Sequence, residues 1–110
     1  MKNMKETTVR LDLHGYKIRF ILGSREEIAR ELNRDPHTIK KGGTSPKLGI
    51  VYINLGNRSL IDILGTMTHE ISHVVDILAK RRGFMEESEH KAYIHGYLFR
   101  EACKGLGLGE

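Results

Sequence analysis

Residues 66–76, Thr66-Met67-Thr68-His69-Glu70-Ile71-Ser72-His73-Val74-Val75-Asp76, hold His-Glu-x-x-His inside an apolar pattern of helical period. Positions i and i+4 of an α-helix differ by about 40° around the axis, so this spacing stacks His69 and His73 on one face. Two imidazole nitrogens so arranged can hold one tetrahedral Zn²⁺, and Glu70, beside the first of them, can take a proton from a metal-activated water. Zinc lowers the pKa of such a water to about 7, within reach of a carboxylate base. The helix is marked by Leu64, Met67, Ile71, Val74, Val75 and Leu78, spaced by three and four. Both histidines fall roughly opposite that stripe, with Asp62 and Asp76, so the core claims one side of the helix and the histidines face something else.

On either side of this helix the chain reads as one small domain. Thr7–Asp12 and Tyr16–Leu22 alternate apolar and polar residues as strands do, and His14-Gly15 suits a tight hairpin turn between them. Ser24, with Glu27 three residues on, has the form of a capping box, opening a helix over Ser24–Asn33 that turns Ile28, Ala29 and Leu32 inward and ends at Asp35-Pro36. Lys40–Lys47 reads as a loop, Leu48–Leu55 as a third strand and Gly56-Asn57 as its close. The motif helix is expected over about Ser59–Arg82, with a break near Gly65, and a last helix over about Glu86–Cys103. The glycine-rich residues 105–110 read as a disordered tail after a single domain of residues 1–104.

Composition narrows the setting. The chain has 110 residues, 39% hydrophobic and 29% charged, enough for a single core. No apolar run approaches the roughly 20 residues of a membrane span, and Met1-Lys2-Asn3-Met4-Lys5-Glu6 lacks the apolar stretch of a signal peptide. The single cysteine, Cys103, excludes an intrachain disulfide and points to a cytoplasmic protein, with the thiol an ordinary helix residue and not a metal ligand. The net charge of +4 comes in short clusters. Of these, Lys80-Arg81-Arg82 before Gly83 suits a helix C-terminus, where cations and a left-handed glycine are favoured.

A second motif competes with the first. Glu27–Lys41 resembles a helix-turn-helix, with Ala29 in a first helix, Asn33 at the turn and Ile39 as the anchor of a recognition helix. Gly42-Gly43 would stop that second helix after about one turn, which reads against nucleic acid as the partner.

Catalytic zinc takes a third protein ligand and keeps a fourth position open. On the last helix Glu89, Ala92, Tyr93, Gly96, Arg100 and Cys103 share a face, and a carboxylate on a face that meets another helix is costly unless paired or metal-bound. Small residues at Ala92 and Gly96 would let the backbones approach. Glu89 is therefore the favoured third ligand, with Glu86, His90 and His95 as alternatives. Tyr93 and Tyr97 are candidates to donate a hydrogen bond to a tetrahedral oxyanion. Asp76, three residues after His73, is a candidate to orient a ligand imidazole through its other nitrogen.

His-Glu-x-x-His followed by Glu89-x-x-Ala92-Tyr93-x-x-Gly96-Tyr97-Leu98 resembles the minimal gluzincin-type metallopeptidases of phages and other mobile elements. The resemblance covers residues 66–100. It implies an α+β, zincin-like fold: a small, mainly antiparallel three-stranded sheet, one packing helix, an active-site helix and a C-terminal ligand helix. It also implies His69, His73 and Glu89 as ligands of one zinc per chain, Glu70 as general base, and Gly49–Asn54 as a strand at the cleft edge able to pair with an extended peptide. The expected activity is zinc-dependent peptide-bond hydrolysis on a peptide or protein substrate, without membrane association. The alternatives are a DNA-associated regulator using residues 24–41 and a zinc-stabilised phage structural or assembly protein without turnover.

Overall fold

Val9 and Leu11 alternate with Thr8 and Arg10, and Ile18, Phe20 and Leu22 alternate with Lys17, Arg19 and Ile21. The computed structural model describes residues 4–11, 15–45, 49–82 and 88–108. In it these two runs form β1 (Lys5–Leu11) and β2 (Tyr16–Gly23), antiparallel with Val9 opposite Ile18. Gly15 has φ 67°, a left-handed turn conformation that suits a residue without Cβ. His14, its partner in the expected turn, lies outside the described residues.

The capping box forms as expected. Ser24 Oγ accepts from the Glu27 amide at 3.1 Å, and Glu27 Oε1 accepts from the Ser24 amide at 2.9 Å. It opens α1 (Arg25–Leu32), which Asn33 ends in the left-handed conformation. Pro36–Thr38 then makes a single 3₁₀ turn, so the second helix of a helix-turn-helix is not formed. Ile39, the expected anchor of that helix, is buried instead beside Ile21, Ile28, Ala29 and Tyr52.

The expected loop at residues 40–47 contains a strand. Gly42–Ser45 is β3, antiparallel to β4 (Ile50–Asn54), and β4 runs parallel to β2. The sheet therefore has four strands in the order β1-β2-β4-β3 and is mixed, where three mainly antiparallel strands were expected. Gly-Gly-Thr-Ser has no apolar alternation and its glycines have low strand propensity, so β3 owes its conformation to the ladder with β4. It also moves the sheet edge: β4, the expected edge strand, is flanked on both sides, and β3 lies outermost. Flanking fits the nearly unbroken apolar run of β4, in which Val51 and Ile53 face one core and Tyr52 the other.

Ser59 Oγ accepts from the Asp62 amide at 3.2 Å and caps α2 (Leu60–Arg82), which continues through Gly65 without a break. The expected stop at Gly83 lies outside the described residues. α2 buries Ile63, Met67, Ile71, Val74, Val75 and Leu78 on the sheet face that carries Val9, Ile18, Phe20, Leu22, Val51 and Ile53. α3 (Ser88–Leu106) adds Ile94, Leu98, Ala102 and Leu106 to that core, while α1 covers the opposite face.

The end of α3 corrects the expected tail. Gly107, with φ 71°, donates to Lys104 O at 3.2 Å, and Leu108 donates to Cys103 O at 2.8 Å. This is a Schellman cap, and its Leu108 packs onto the core. The glycines here serve helix termination and close contact. A Cβ at Gly105 would fall 2.1 Å from Thr7 Oγ1 on β1. Among the described residues, no helix is long and apolar enough to cross a membrane.

Candidate metal centre

The two histidines are exposed on the side of α2 away from its buried stripe, as the helical period requires. Their rings meet edge to face with centroids 4.7 Å apart, and Nε2 of His73 lies 3.2 Å from Nε2 of His69. Two nitrogens each about 2.0–2.1 Å from one tetrahedral Zn²⁺ stand about 3.3 Å apart. The spacing of the observed pair is the one a shared cation would need, and without one the same spacing lets one imidazole N–H donate to the other ring.

Glu70 differs from both histidines. It is 6% exposed, because it lies in line with Ile63, Met67 and Val74 on the margin of the buried stripe. That margin faces β3. Thr44 Oγ1 donates to Glu70 Oε1 at 2.7 Å, so a hydroxyl of the edge strand holds the buried carboxylate. Gly42 allows the approach: a Cβ there would fall 2.5 Å from Thr66 Cγ2 and 3.2 Å from Glu70 Cγ. Gly43 makes the corresponding contact on the other face, against the Tyr52 ring.

His69, Glu70 and His73 line a cleft of about 570 Å³ whose other wall comprises Gly42, Gly43, Thr44 and Ser45, with Tyr52, Arg34 and Lys40 around it. An adjoining groove is lined by His69 and Glu70 together with Lys40, Lys41, Arg58, Ile61 and Asp62. Arg58 ties the two walls. Its guanidinium donates to the carbonyls of Lys41 at 3.2 Å, Asn54 at 2.9 Å and Asp62 at 3.0 Å, and to the Thr66 hydroxyl.

Other expected site residues stand elsewhere. Tyr93 is 63% exposed and Tyr97 donates to Arg10 O at 3.4 Å; both line a hollow against β1, away from the histidines. The tyrosine that shares the cleft is Tyr52, whose hydroxyl accepts from the Lys40 amide at 3.3 Å and keeps its own proton for donation. Asp76 pairs with Lys91 at 3.0 Å instead of with a histidine. Cys103 Sγ donates to Met67 Sδ at 3.8 Å, and burial raises its thiol pKa, so it stays a protonated packing residue.

The basis offered for Glu89 also changes. Ala92, Tyr93, Gly96 and Arg100 are exposed, and a Cβ at Gly96 would meet nothing within 4 Å, so this face does not make the expected close helix contact. The apolar residues Ile94, Leu98, Ala102 and Leu106, four apart, turn the other side of α3 inward. Beside this shared core, polar contacts also link α3 to α2: Lys91 to Asp76, and His95 Nε2 to Thr68 O at 3.2 Å. Glu89 stands in the first turn of α3. Its side chain and all of Glu86 lie outside the described residues. Among the described residues, no group of three or more His, Cys, Asp or Glu is arranged to hold a metal.

Sequence reasoning missed Thr44 and Lys40 as cleft residues, and placed Tyr52 at the cleft only through the backbone of its strand. Tyr52 had an apolar-strand signal and no other, and Thr44 stood in what read as a loop. No protein-family model, curated protein or solved structure matches the chain.

Proposed function

We propose that the protein is a zinc-dependent peptide hydrolase of zincin type. The observation that carries this reading is the convergence of the His69 and His73 Nε2 atoms to 3.2 Å at a cleft whose lining includes Glu70. His69 and His73 would hold the ion, with Glu89 the favoured third ligand. A zinc ion held there supplies Lewis acidity toward a carbonyl oxygen and an acidified water. Glu70 accepts the proton of the attacking water and delivers it to the leaving amine. Thr44 fixes the Glu70 carboxylate, leaving the second carboxylate oxygen for that exchange. β3 ends the sheet, with no further strand beside it among the described residues, and would offer backbone groups to an extended peptide in the same cleft, the role expected of β4. α2 packed across the sheet would carry the two histidines and Glu70, and α3 beside it would carry the third ligand.

Metal analysis of protein purified without added zinc tests the reading. One zinc per chain is expected, and His69→Ala or His73→Ala should abolish tight binding; stoichiometric zinc retained by the double variant would remove the site. Glu70→Gln should keep the metal and lose hydrolysis, and loss of zinc equal to that of His69→Ala would show the roles to be misassigned. Glu89→Ala should erase most of the zinc-dependent rise in melting temperature, because ligands from separate helices couple binding to folding. His90→Ala and His95→Ala should leave it nearly intact, and the reverse pattern would make the third ligand a histidine.

A further inference from the structure

The charges around the cleft are lopsided. Its two parts are lined by four cations, Arg34, Lys40, Lys41 and Arg58, against two carboxylates, Glu70 and Asp62. Arg58 spends its donors on three carbonyls and a hydroxyl. Arg34 donates to Thr38 O at 3.0 Å and stands 5.9 Å over the Tyr52 ring. Among the described residues neither Arg34, Lys40 nor Lys41 has a carboxylate partner. Several cations elsewhere do: Arg19 pairs with Glu6 and Glu31, Lys91 with Asp76, and Lys104 with Glu101. Unneutralised charge of one sign beside low-dielectric walls concentrates its field in the cleft.

These cations spring from a fixed backbone. Ile39 is anchored in the core, the Lys40 amide donates to Tyr52 Oη, and Lys41 O accepts from the Asn54 amide at 2.8 Å as well as from Arg58. Lys40 and Lys41 therefore stand at the entrance to β3, where an extended chain pairing with that strand would begin or end. An oligonucleotide would need exposed rings on which to stack. The one aromatic residue other than histidine that lines either part of the cleft is Tyr52, and it is 5% exposed. The outermost strand, unpaired on its far side among the described residues, and the cationic rim together match an acidic peptide better than a nucleic acid.

We propose that the cleft selects extended peptide segments rich in aspartate and glutamate, whose carboxylates meet Arg34, Lys40 and Lys41 while the backbone runs along β3. This deepens the hydrolase reading and rests on it. The test uses the full chain carrying Glu70→Gln, so that no peptide is consumed. Its affinity is measured by fluorescence anisotropy for short labelled peptides of alternating Glu and Ala, for their Gln/Ala and Lys/Ala counterparts, and for a short thymidine strand. The Glu/Ala peptide should bind about tenfold tighter than the Gln/Ala peptide, as two or three exposed ion pairs would give, and the preference should shrink at high salt. Adding Lys40→Glu and Lys41→Glu should abolish the preference, Lys40→Gln with Lys41→Gln should reduce it, and Arg100→Glu with Lys104→Glu on α3 should leave it. Equal affinity for the Glu and Gln peptides, an equal loss in the α3 variant, or tighter binding of the thymidine strand would each overturn the proposal. Turnover by the unmodified, zinc-loaded protein separates the two readings. Acidic preference without hydrolysis of any peptide would keep the binding specificity and remove the hydrolase. Hydrolysis of Gln/Ala as fast as Glu/Ala would keep the hydrolase and remove the specificity.

Discussion

The α2 wall of the cleft is built from residues whose positions follow from their own neighbours in the chain, and the β3 wall from residues positioned by a partner strand. On α2 the helical period alone separates the exposed His69 and His73 from the buried stripe below them. On β3, Gly-Gly-Thr-Ser becomes a strand only because β4 lies beside it, with Gly43 opposite Tyr52 and Thr44 opposite Val51. The walls also differ in tolerance. Gly65 on α2 has open space where a Cβ would go, whereas Gly42 on β3 has Thr66, Glu70 and the Tyr52 carbonyl within 3.3 Å of that point. A local wall can be altered one residue at a time, and a borrowed one cannot.

The hardest way to break this contrast is Gly42→Ala. Its methyl group would meet Thr66 Cγ2, and Thr66 cannot rotate away freely because its hydroxyl is held by Arg58. A loss of about 1–3 kcal/mol in urea unfolding is expected, the usual range for an over-packed site. An unchanged midpoint would mean that the β3 wall yields as easily as the α2 wall.

Thr44→Val is the next largest. It keeps the shape of the side chain and takes the donor from the buried Glu70 carboxylate, which should cost about 1–2 kcal/mol. Thr44→Ser should recover most of that loss. If valine were as stable as threonine, the hydrogen bond would have no part in joining the walls.

Gly65→Ala sharpens the contrast from the other side. With nothing near its Cβ, and within a regular helix, alanine should raise stability by about 0.5–1 kcal/mol. A destabilised variant in thermal unfolding would show that the α2 wall is as crowded as its opposite.

The same contrast explains what could be read from the chain alone. The capping box at Ser24 and Glu27, the strands with alternating Val9, Leu11, Ile18 and Phe20, and the helix bearing His69 and His73 all have their causes within a few residues. They appear where expected. β3 has its cause in β4, and the sheet order and the identity of the edge strand were lost with it. Thr44 was lost from the site for the same reason. The cap at Gly107 and Leu108 was a local signal misjudged: three glycines in six residues resembled an unstructured end, yet Gly107 is the left-handed stop and Leu108 the apolar contact that completes it. For Tyr93 and Tyr97 the helix was foreseen but not its rotation, which the row Ile94, Leu98 and Ala102 decides.

Arg58 has a consequence for how the molecule moves. One guanidinium grips the carbonyl before β3, the last residue of β4 and the first two turns of α2. A hinge needs a few residues whose backbone angles can swing without resistance, and a swing of α2 away from β3 here would break several bonds at once. At its Arg58 end the cleft is therefore braced, with α2, β3 and β4 held together by one side chain. A ligand segment that docks at that end meets backbone already held in place, so the ordering cost of binding there falls mainly on the ligand's own chain.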